Sequence, residues 1–74
     1  MTMAVFRISE IAGESVFQVQ AGDAAQARRL VKLNCEVPAG DPAQYSCEID
    51  ANAPVPYGVI YSPVTGKAIT ITKR

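Results

Sequence analysis

Seventy-four residues, 49% hydrophobic and 19% charged, are enough for one domain (1–74) near the lower limit of unaided folding. That balance excludes a disordered chain, which needs low hydrophobicity and high net charge. Seven basic and seven acidic side chains cancel, so no global field steers the chain to nucleic acid or a membrane.

The opening residues Met1–Arg7 lack a basic segment followed by an apolar one, so they read as a first strand and not as a secretory leader. No apolar run approaches the ~20 residues that cross a bilayer. The expected location is the cytoplasm. Residues 3–9 and 15–21 alternate as strands, with Phe6 and Ile8 on one face and Phe17, Val19 and Ala21 on the matching face. Ala12-Gly13-Glu14 supplies the turn of a hairpin.

Asp23 followed by Gln26 forms an Asp-x-x-Gln capping box and opens a helix over Ala24 to Leu33, with Asn34 as its stop. At about 100° per residue, Ala24, Ala27, Leu30 and Val31 gather on the sheet side. Arg28, Arg29 and Lys32 fall on the opposite arc, with no carboxylate beside them. A loop over Glu36 to Pro42 follows, marked by Pro38, Gly40 and Pro42. Gln44 to Asp50 alternates again, placing Tyr45, Cys47 and Ile49 on one face and Ser46, Glu48 and Asp50 on a wet one. The prolines at 54 and 56 exclude a central strand over Ala51 to Pro56. Tyr57 to Ser62 and Lys67 to Lys73 then form a second hairpin around Pro63-Val64-Thr65-Gly66, with Thr70 and Thr72 alternating with Ile69 and Ile71. The order β-β-α-β-β-β defines an α+β fold: a single antiparallel sheet with one helix packed on one face.

Little in this composition supports catalysis. There is no histidine, so the commonest general base and the Ser-His and Cys-His nucleophile pairs are absent. No G-x-S-x-G, Walker A or dinucleotide-binding motif occurs. The Glu48 and Asp50 pair reads as a solvated strand face and not as an acid and base. Cys35 and Cys47 match no zinc spacing and read as free thiols, Cys47 packing as a small hydrophobe, or alternatively as one bridge from the helix end to the next strand. No cofactor, metal or small-molecule substrate is expected.

What remains is surface. Arg28, Arg29 and Lys32 on one exposed arc suit phosphates or an acidic protein surface, against the alternative of a solubilising face. Tyr57 and Tyr61 flank Val59 on one strand face and are candidate aromatic anchors, or else core.

Three segments carry a resemblance. Ala4-Val5-Phe6-Arg7-Ile8-Ser9-Glu10-Ile11, Phe17-Gln18-Val19-Gln20-Ala21 and Ala24-Ala25-Gln26-Ala27-Arg28-Arg29-Leu30, running to Cys35, are similar to a small phage-encoded anti-CRISPR family that inhibits type I-F surveillance complexes. The resemblance implies a non-enzymatic inhibitor in the bacterial host cell. It would bind the RNA-guided type I CRISPR-Cas effector (Cascade) and sterically block target DNA. Arg28 and Arg29 fall on the family's basic pair, whereas Lys32 is close to a further lysine but out of register. Two other readings stand beside it: a small phage or plasmid nucleic-acid-binding accessory protein, and an orphan structural domain whose homo-oligomer buries the final hairpin.

Overall fold

The computed structural model describes residues 3–74, so Met1 and Thr2 of the expected opening strand lie outside the described residues. Five strands and one helix follow in the expected order: β1 (Ala4–Glu10), β2 (Val16–Ala21), α1 (Ala24–Cys35), β3 (Tyr45–Ile49), β4 (Val59–Ser62) and β5 (Lys67–Thr70). The strands form one antiparallel sheet in the order β3-β1-β2-β4-β5. The protein is therefore an α+β fold with a single helix against one sheet face.

The topology follows from strand direction. β2 and β3 both run antiparallel to β1, so they run the same way and no tight turn can join them. Helix α1 makes that crossover over one face. β3 and β4 lie at opposite sides of the central β1–β2 pair, and residues 51–58 cross back over the other face. Val55 is 4% exposed there, and its carbonyl accepts from Gln20 Nε2 at 2.7 Å. The face expected to be wet is thus roofed in part by the proline-rich segment.

The Asp23 cap forms as its spacing predicts, but the return bond from Gln26 reaches the amide one residue before the cap. The Gln26 amide donates to Asp23 Oδ1 at 2.7 Å, while Gln26 Oε1 accepts from the Gly22 amide at 2.7 Å. The helix runs two residues beyond the expected end, to Cys35, and Glu36 closes it in the left-handed region at φ 56°. Ala27, Leu30 and Val31 are buried as expected, but Ala24 in the first turn is exposed. They pack on Phe6, Ile8, Val19, Ala21, Tyr45 and Ile60. Cys35 and Cys47 are both free and half-buried beside this core.

Asn34 does not stop the helix. Its Nδ2 donates to the carbonyls of Leu30 and Lys73, and its Oδ1 accepts from the amides of Thr72 and Lys73 at 3.0 and 3.1 Å. One side chain therefore ties residues 72–73 to the last helical turn. β5 ends at Thr70 and not at Lys73 because its partner β4 begins at Val59, after the turn at Gly58; beyond the buried Ile71 the chain passes to Asn34. Asn34→Ala is expected to cost about 1–2 kcal/mol in urea unfolding and to expose the Thr72 and Lys73 amides to rapid exchange. Unchanged protection of those two amides would show that the side chain is not the tie.

Candidate functional site

The three helical cations do not share one environment. Position 28 lies on the row of α1 nearest β3, and its guanidinium turns inward. Nη1 donates to the carbonyls of Ala39 and Tyr45 at 3.0 and 2.9 Å. Arg28 is half-buried and clamps the 37–43 loop and β3 to the helix, so the expectation of an exposed side chain is corrected. A carboxylate is also near, contrary to expectation. Hydrogen bonds from the Gln44 side chain and the Ala43 amide hold Asp41 below the ordinary carboxylate range, and the charge of Arg28 adds to the effect. Arg29 and Lys32 remain exposed and, among the described residues, take part in no ion pair.

Tyr57 and Tyr61 do not share a strand face. Gly58, at φ +85°, turns the chain between Tyr57 and β4, a conformation that favours glycine. Tyr57 is left 60% exposed, with the Arg74 guanidinium 5.1 Å from its ring centroid. Tyr61 pairs with Gln18 and Ala68 and is half-buried on the face away from α1, beneath Pro54-Val55-Pro56. The five residues read as candidates from the sequence therefore form no single surface. Arg29 and Lys32 are exposed on the helix, Tyr57 is exposed near the start of β4 with Arg74 over its ring, and Arg28 and Tyr61 are committed within the fold.

Glu48 and Asp50 both face the Arg7 guanidinium, Glu48 at 3.8 Å and Asp50 at 2.7 Å, but they differ in burial. Glu48 is exposed, but the Asp50 side chain is 16% exposed. Its Oδ2 accepts from Arg7 Nη2 at 2.7 Å, Arg7 Nε at 3.1 Å and Gln18 Nε2 at 3.0 Å. The expected solvated pair is thus half of an internal network that holds the start of the 51–58 crossover to β1 and β2.

One open apolar region carries no local signal in the sequence. A helix of 12 residues is about 18 Å long and about 10 Å across, whereas five strands span about 19 Å. Packed chiefly over β2, α1 leaves the β4–β5 side of its own face uncovered. A groove of about 570 Å³ lies there, its apolar walls formed by Phe17, Cys35, Ile60, Val64 and Ile69. Val64 is 57% and Ile69 40% exposed. Alternation in the sequence marks Ile69 as inward-facing, and it does face the helix side. No helix reaches it.

Burial pushes the Cys35 thiol up at the edge of this groove. Burial also raises Cys47, with Arg28 opposing and Glu48 adding. No group of three or more His, Cys, Asp or Glu side chains positioned to hold a metal occurs among the described residues, and no helix there is long and apolar enough to cross a membrane. Protein-family models, curated proteins and solved structures all give no match to this chain.

Arg28→Ala is expected to lower unfolding stability by about 1–3 kcal/mol, because two carbonyls lose a charged donor. Arg29→Ala is expected to change it by no more than about 0.5 kcal/mol, and equal losses would refute the division of roles. Both thiols are expected to alkylate more slowly at pH 8 than a free cysteine peptide, since a raised pKa leaves less thiolate at that pH. Rates at or above the peptide's would show that burial does not control them.

Proposed function

We propose that this chain is a non-enzymatic binding module that acts stoichiometrically by covering a surface of a protein partner. The observation that carries the reading is the uncovered β4–β5 hairpin, where Val64 and Ile69 remain exposed beside an apolar groove in so small a domain. The free cations Arg29 and Lys32 add a second, polar patch on α1. The partner named in this reading is a type I CRISPR surveillance complex, with inhibition by steric block of target DNA. That identity rests on the resemblance of the first two strands and the helix alone. The exposed cations are consistent with a contact near the complex's nucleic-acid path.

The test is co-purification of the tagged chain with type I surveillance complexes, together with a plaque assay under CRISPR targeting. Capture of the complex and rescue of phage are expected. Absence of both across the type I subtypes would sink the identity of the partner. Within a positive result, Arg29→Glu with Lys32→Glu is expected to weaken inhibition about tenfold or more while leaving the amide spectrum folded. Val64→Glu with Ile69→Glu is expected to abolish capture. Full capture by the second pair would show that the hairpin is not the working surface.

A further inference from the structure

The hairpin's outer strand has a free backbone edge as well as exposed side chains. The Ile71 amide donates to the Gly58 carbonyl at 2.9 Å, so residues 71, 69 and 67 turn their backbone groups toward β4. Ala68 and Thr70, of opposite parity, turn theirs outward. Two amides and two carbonyls therefore line the free edge, and all four residues of β5 are exposed. The other edge of the sheet is blunted only in part. On β3 the outward-turned residues are 45, 47 and 49, and the Tyr45 carbonyl is already taken by Arg28 Nη1. The Arg28 clamp occupies only the first of these, leaving Cys47 and the 64% exposed Ile49 open on β3, so what distinguishes β5 is the groove and the cations beside it.

Charge indicates what fits. Lys67 begins the strand, and Lys73 and Arg74 lie just past its end. None of the three is in an ion pair among the described residues, although Arg74 lies over the Tyr57 ring, and Glu14 is the one carboxylate lining the groove. Antiparallel pairing of β5 with a second copy of itself would set the Lys67 end of one chain against the Lys73–Arg74 end of the other, like charge against like. An extended segment carrying acidic residues would meet those cations with opposite charge.

We propose that the free edge of β5 takes up an extended acidic segment of a partner protein as a sixth strand, with one of its apolar side chains seated in the groove beside α1. Backbone hydrogen bonds at Ala68 and Thr70 supply the pairing, and the groove between Val64, Ile69 and Phe17 selects the apolar side chain. The proposal rests on the reading of the hairpin as the working surface and specifies how that surface is engaged.

The test titrates the ¹⁵N-labelled full chain with two synthetic nonapeptides that share a central Val-Thr-Val-Thr-Val run, one with two Glu at each end and the other with two Lys at each end. The acidic peptide is expected to shift the Ala68 and Thr70 amides and slow their exchange, more weakly as salt rises. Thr70→Pro removes an outward amide that no neighbour in the fold uses. It is expected to weaken binding about tenfold or more with the remaining spectrum unchanged. An equal response to the lysine peptide, or none at Ala68 and Thr70, would overturn the proposal. Protection of those amides that grows with protein concentration alone would also overturn it, in favour of a second copy at the edge. If Thr70→Pro binds normally while Ile69→Glu does not, strand addition fails but the hairpin stands as a binding surface. If Ile69→Glu also binds normally, the reading of the hairpin itself fails.

Discussion

A single 12-residue helix has to serve a sheet five strands wide, and most features of this molecule follow from that mismatch. The helix is placed by connectivity, because it must carry the chain from β2 to a strand of the same direction on the far side of β1. It therefore sits over the centre and the β3 side, and the opposite margin is left without a cover. The apolar residues of that margin, Ile69 above all, are in the pattern of a core without the partner that would complete it. The second crossover helps less than its length suggests, since it runs over the other face and buries Val55 there.

Polar side chains close the seams that this arrangement leaves. Arg28 joins the helix to the loop before β3, Asp50 joins the far end of β3 to the central hairpin, and Asn34 joins the last turn of the helix to the segment after β5. No buried side-chain nitrogen or oxygen lacks a partner among the described residues. Such satisfied networks fix register and edge position more sharply than apolar contact alone.

The same three residues show where sequence reasoning reached its limit. Strand alternation, the Asp23–Gln26 cap and the turn residues act over two to four positions, and the element order was legible from them. The partners of Arg28 are 11 and 17 residues away, and those of Asp50 are 43 and 32 away. No local pattern signals such pairs, so both side chains read as solvated charges. The uncovered groove was illegible for a related reason. Alternation tells which way Ile69 points, but only the placement of α1 tells whether anything lies there. Tyr57 was misread through one residue, because Gly58 ends the alternation that would have aligned it with Tyr61.

The division of the sheet into local and remote pairings carries a consequence for how the chain assembles. The β1–β2 and β4–β5 hairpins each close over a few residues, at small entropic cost. β3 meets β1 only after the helix and its following loop have been brought round. Contacts of large sequence separation form late when loop closure limits the search. The pairing of β4 with β2 spans at least as much sequence, so β3 and the β4–β5 hairpin both join late, and a ribosome-bound chain would hold a finished β1–β2 hairpin well before either could dock on it.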